Sequence, residues 1–183
     1  EVIKNGGVVV FPTETSYGIG CDATNPEAVE RVMRLKNRPE GMSMALIVRD
    51  DAMAQECGSF TEVEKMLTDR HWPGPLTVIL HNANEKLPKH CVMNDAVGVR
   101  VSSHPVAHGI VEKFGRPIIA TSANVHGQES SYNLDTAIGQ FGDHEDAPDL
   151  YFDAGELERR PSSMIIEVVN GEIVVHRKGS FKL

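Results

Sequence analysis

The feature that most limits the fold is the spacing of short apolar runs. They fall at residues 7–11, 44–48, 76–80, 97–101 and 117–121, each bounded by glycine, proline or polar side chains. Such runs are too short for helices and read as buried strands. Between them stand helix starts. Asn25-Pro26-Glu27 offers an N-cap, a proline at the first helical position and an acid at the positive end of the helix. Ala28, Val29, Val32, Met33 and Leu35 follow at helical spacing, and Pro39 is predicted to close that helix. Phe60-Thr61-Glu62-Val63-Glu64 carries a capping-box pattern for a helix running to about Trp72, where Pro73-Gly74-Pro75 breaks it. Ser103-His104-Pro105 opens a third helix that Gly115 ends, and residues 134–141 form a fourth. Two final strands, at 164–169 and 172–176, flank Asn170-Gly171, the strongest short hairpin signal. Strand-helix alternation with a terminal hairpin predicts an α/β layered fold with a mixed β-sheet.

A length of 183 residues fits one domain over residues 1–183, and 40% hydrophobic residues suffice for a core. The opening residues 1–7 read as the end of a helix, so the chain is expected to begin further upstream. It carries neither an apolar run that would span a bilayer nor a signal-peptide pattern, and no membrane role is expected. Cys21, Cys57 and Cys91 are odd in number and lack a C-x-x-C pair, which suits a reducing, cytoplasmic setting and argues against a disulfide framework or a four-cysteine zinc site. The formal net charge of -8 disfavours tight, general nucleic-acid binding. Any anionic ligand must meet a local gathering of Lys and Arg.

Lys36-Asn37-Arg38 before Pro39 is one such gathering. Lys36 falls in the last helical turn and the proline extends Arg38, so the two cations can converge on a polyphosphate; they can equally answer the helix dipole. Ser122-Ala123-Asn124 follows a buried strand, where hydroxyl and amide groups suit either a polar ligand or a turn. Arg100, alternating with apolar residues, either reaches water or faces a polar pocket. His104 and His108 stand four apart with no third ligand near, so the eight histidines read as surface groups. The cysteines read as packing residues, Cys91 being the least settled because Lys89 and His90 precede it. The sequence has no G-x-x-x-x-G-K-[ST] loop and no G-x-S-x-G elbow.

The order of these signals is more specific than any one of them. "FPTETSYGIG", Lys36-x-Arg38-Pro39, "PGPLTVIL", "VGVRV", "ATSAN" and "PSSMII" together resemble the YrdC/TsaC family of threonylcarbamoyl-AMP synthases, in its short single-domain form, over residues 6–179. The resemblance implies a twisted sheet with helices around a concave, positively charged cavity. It implies condensation of L-threonine, bicarbonate and ATP, with Mg2+ accompanying the ATP and no tightly bound, protein-ligated metal. A downstream complex would transfer the threonylcarbamoyl group to tRNA, and the synthase itself would bind tRNA at most weakly.

Position by position, the resemblance places threonine on Thr15, Tyr17, Arg100, Ser122 and Ser162. It places ATP on Lys36, Arg38, Met42, Asn124, Ser131 and Arg177, with Lys36 and Arg38 also catalytic. Met42 stands where Asn or Lys is common, and Ile47 where longer members carry a histidine. Two alternatives stay open: a YciO-like sibling acting on another carbamoyl or nucleotide substrate, and a non-catalytic RNA-binding module.

Overall fold

A computed structural model describes residues Glu1–Leu183. After a 3-10 turn at Ile3–Asn5 the elements run β1 (Val9–Pro12), β2 (Tyr17–Gly20), α1 (Pro26–Leu35), β3 (Leu46–Ile47), α2 (Asp51–Cys57), α3 (Glu62–His71), β4 (Leu76–His81), β5 (Val92–Met93), β6 (Ala96–Arg100), α4 (Pro105–Phe114), β7 (Ile118–Ile119), β8 (Thr121–Ser122), α5 (Leu134–Phe141), β9 (Leu150–Tyr151), β10 (Met164–Val169) and β11 (Glu172–Arg177). The architecture is mixed α/β, with the strands divided between two sheets. The smaller has the order β8-β2-β1-β9; the larger has the order β11-β10-β4-β6-β3-β7, with β5 paired to β6 at its side. Both are mixed, since β1 runs parallel to β9 and antiparallel to β2, while β4 runs parallel to β10 and antiparallel to β6.

The strands are short because each apolar run ends in polar residues. All four residues of β1 are buried, as a strand covered on both faces requires. The two sheets meet where β2 passes β7. There Ile119 N donates to Cys21 O at 2.9 Å, and a Cβ on Gly20 would lie 1.8 Å from Ile119 O, so only glycine permits the approach.

The capping signals act where they stand in sequence. Asn25 Oδ1 accepts from Glu27 N (3.0 Å) and Ala28 N (3.2 Å) at the head of α1, and Thr61 with Glu64 forms both halves of the capping box of α3. α1 stops at Lys36 because Asn37 takes the left-handed conformation (φ 46), one residue before Arg38 and ahead of Pro39. α2 had no counterpart in the sequence pattern; Asp50 caps it, accepting from Met53 N at 2.9 Å. β2 also falls where only a loop was expected. No helix is long and apolar enough to cross a membrane.

Candidate active site

The turn between β1 and β2 is built on one hydroxyl. Thr13 Oγ1 donates to Ser16 O (2.7 Å) and accepts from Thr15 N (3.2 Å) and Ser16 N (3.3 Å). This accounts for the density of polar side chains after a buried strand: they supply the hydrogen bonds the backbone forgoes in so tight a reversal. β8 pairs with β2 beside this turn and brings Ser122 opposite Gly18.

Between the turn and the ends of β3, β6 and β10 lies a hollow. It encloses about 200 Å³ and opens to solvent at its mouth, a small cleft beside the roughly 300–1,000 Å³ usual for drug-sized sites. Its walls include hydroxyls from Thr13, Thr15, Ser122 and Ser162 and the guanidinium groups of Arg38, Arg100 and Arg177, with no carboxylate among them. Arg38 is held by Met42 O (3.1 Å) and Ser43 O (2.8 Å). Arg177 donates to Ser163 O (2.8 Å) and Ser163 Oγ (2.9 Å), and Ser163 Oγ in turn lies 3.0 Å from Thr77 Oγ1. Burial lowers the pKa of Arg177, and the neighbouring charges of Arg100 and Arg38 lower it further. A hollow that gathers a buried Arg100, a half-buried Arg38 and an Arg177 exposed at its rim, all repelling one another, is arranged for an anion.

Arg100 differs from the other two. It is 8% exposed, yet its guanidinium donates no hydrogen bond to the protein; its one partner is Glu14, with Oε1 3.2 Å from Nη1. A planar fork of donors left open inside a hollow is suited to a carboxylate.

The remaining residues named from sequence lie around the hollow rather than on its wall. Lys36 is 2% exposed, and its Nζ donates to Ser122 O (2.5 Å) and Asn124 O (2.7 Å), tying α1 to the loop after β8. Burial, and then the charge of Arg38, pulls its pKa down to about 7. Asn124 Nδ2 donates to Val125 O and Gln128 O, both at 2.9 Å, and Ser131 Oγ donates to Ala123 O at 2.5 Å. Tyr17 is buried, with its hydroxyl donating to Gly155 O (2.8 Å) and accepting from Ala154 N (2.9 Å), so it anchors the segment that leads to Ser162. Met42 is exposed and off the wall.

Several polar wall residues, among them Thr13, Thr77 and Ser163, were not singled out from sequence, nor was Glu14. The only signals were adjacency to Thr15 and Ser162, the "PTET" turn itself and, for Thr77, its place in "PGPLTVIL".

An α/β chain whose two sheets close around a hollow of hydroxyls and arginines belongs to the class that binds small anionic substrates. It is a member of the Sua5/YciO/YrdC family, whose profile, described as "Telomere recombination", matches residues 1–179. A protein of Marinobacter nauticus named threonylcarbamoyl-AMP synthase is 32% identical over 174 residues, covering 94% of this chain and 90% of the relative. The P. abyssi Sua5 structure complexed with L-threonine superposes with a TM-score of 0.89 at 31% identity, over 97% of this chain and 52% of that one. This chain therefore spans about half of that Sua5 protein's length. E. coli YciO superposes with a TM-score of 0.87 at 26% identity, covering 99% and 87% of the two chains.

Proposed function

We propose that the chain is an L-threonylcarbamoyladenylate synthase, an enzyme that condenses L-threonine, bicarbonate and ATP into threonylcarbamoyl-AMP and pyrophosphate for N6-threonylcarbamoyladenosine modification of tRNA. One observation carries the reading: the Arg100 fork is buried and unbonded beside two further arginines and a ring of hydroxyls. That set suits a small zwitterion next to a polyphosphate.

In this reading the threonine carboxylate lies on Arg100, and its side chain and amine face Thr15, Ser122 and Ser162. The amine attacks bicarbonate carbon and water leaves, giving a carbamate. A carbamate oxygen then attacks the α-phosphorus, the bond from Pα to the bridging oxygen breaks, and pyrophosphate departs with the electron pair. Arg38 and Arg177 offset the charge growing on the leaving group, while Lys36 holds the Ser122–Asn124 loop, and so the nucleotide's bed, in place. No side-chain nucleophile is required. The wall has no carboxylate, and Glu14 beside it is tied to Arg100 and Ser102, so this donor set fits Mg2+ entering on the triphosphate as part of the substrate. A downstream transfer complex would take the product on to tRNA, which an acidic chain would hold at most weakly.

Pyrophosphate release with ATP, Mg2+ and bicarbonate, measured with each amino acid in turn, tests this. Threonine-dependent release is expected. Release independent of threonine would favour a YciO-like activity, in keeping with the fold match to that protein. Binding of RNA without threonine or ATP would favour a non-catalytic module.

A further inference from the structure

We infer that Glu14 is a positioning residue: anchored by Ser102 at the head of α4, it sets the Arg100 guanidinium so that the free N–H groups of that arginine face the carboxylate of a bound amino acid. The identity of that amino acid rests on the synthase reading; the placement of Arg100 does not.

Glu14 sits in the turn locked by Thr13, but it is not part of the wall of the hollow; its carboxylate reaches Arg100 and Ser102 instead. Its Oε2 accepts from Ser102 Oγ, a fully buried hydroxyl that itself accepts from His104 N (3.2 Å), the N-cap residue of α4. Its Oε1 is sealed from solvent, has no hydrogen bond, and lies 3.2 Å from Arg100 Nη1. A carboxylate oxygen that is hidden and has one cation for company addresses that cation and nothing else. The contact is a charge pair without an aligned hydrogen bond, so it restrains the guanidinium while consuming none of its donors.

The surrounding charges show why restraint is needed. Arg38 and Arg177 have carbonyl or hydroxyl partners that fix their orientation; Arg100 has none apart from Glu14. Facing two other cations across the hollow, an untethered Arg100 would swing toward any free carbonyl and lose its alignment. As a stability device a buried pair of this kind is weak. As a means of holding a fork open toward an incoming carboxylate it is effective, because the orientation is settled before binding.

The test compares wild type with Glu14→Gln, which keeps shape and removes charge, and with Ser102→Ala, which keeps the charge and removes its anchor. Glu14→Gln is expected to weaken threonine binding by about 10–100-fold, with KM for ATP within about twofold and kcat at saturating threonine little changed. Ser102→Ala is expected to show a smaller loss of the same kind, and it carries the test if Glu14→Gln fails to fold. Unaltered threonine affinity in a folded variant, or equal losses for threonine and ATP, would overturn the inference. A second readout does not depend on the reaction: the Arg100 side-chain N–H signal in NMR, assigned with Arg100→Lys. It should be sharp in wild type and motionally averaged in Glu14→Gln. If wild type makes no pyrophosphate with any amino acid, the synthase reading fails while this signal still decides the role of Glu14; an identical signal in both proteins sinks it.

Discussion

At Lys36 two opposing effects meet on one atom. Burial drives off its proton and lowers its pKa to about 7, while the carbonyls of Ser122 and Asn124 accept from its Nζ. Its unfolded value is 10.5, so between about pH 7 and 10.5 the unfolded chain holds the proton more tightly, and stability gains from this residue as pH rises through that window. Urea unfolding of wild type should therefore show a rise from neutral to alkaline pH that Lys36→Met flattens; parallel curves would rule the effect out. A bound triphosphate reverses the preference by favouring the ammonium. ATP binding just above neutral pH is then expected to take up a proton, measured by calorimetry in buffers of different protonation enthalpy, and to take up none in Lys36→Met. The catalytic loss on Lys36→Ala is expected to reach about 10²–10³-fold with the fold intact. The sequence supplied Lys36 and Arg38 as a pair but not their division of labour. Arg38 lines the wall and Lys36 braces a loop whose carbonyls lie 86 and 88 positions away in sequence. Glu14 was missed for the same reason: a carboxylate between two threonines reads as solvated until Ser102 and Arg100 fold over it.

Among the elements, those with local signals were legible. α1, α3, α4 and the β10–β11 hairpin each carry caps or turn residues whose partners lie within a few positions. α2 is only seven residues long and buries Met53, Ala54 and Cys57 alone, too little for a periodic stripe to stand out. β8 and β9 are two-residue strands defined by partners more than a hundred positions away, which no window of sequence contains. Gly20 belongs to this class as well, since its necessity comes from Ile119 on another sheet. Gly20→Ala would drive a methyl into that carbonyl, push β2 off β7 and distort the wall between Thr15 and Ser122. A loss of about 3 kcal/mol in urea unfolding is expected. Gly109→Ala, in the interior of α4 with no atom within 4 Å of the new methyl, should instead stabilise by up to about 1 kcal/mol. If both changes proved neutral, close packing of the two sheets at Gly20 would be refuted.

On the scale of the whole molecule, an acidic chain encloses a cationic hollow. The net charge of -8 is a global sum, and it says nothing about Arg38, Arg100 and Arg177, which β3's approach, β6 and β11 deliver to one place from separate parts of the chain. The two signs have different reach. In dilute salt the acidic exterior repels long polyanions such as RNA, which must touch much of the surface, whereas a single nucleotide can enter the hollow and meet Arg38 and Arg177 at short range. Raising ionic strength screens the exterior first. The affinity for ATP, measured by calorimetry across a salt series, should therefore fall more gently than that of a protein binding phosphates on an open surface. Arg177→Ala should weaken ATP binding at every salt concentration, because a guanidinium that meets a phosphate at contact range acts well inside the screening length. If added salt abolished the difference between wild type and Arg177→Ala, the arginine would be acting only through long-range attraction, and the hollow would not be where the phosphates bind.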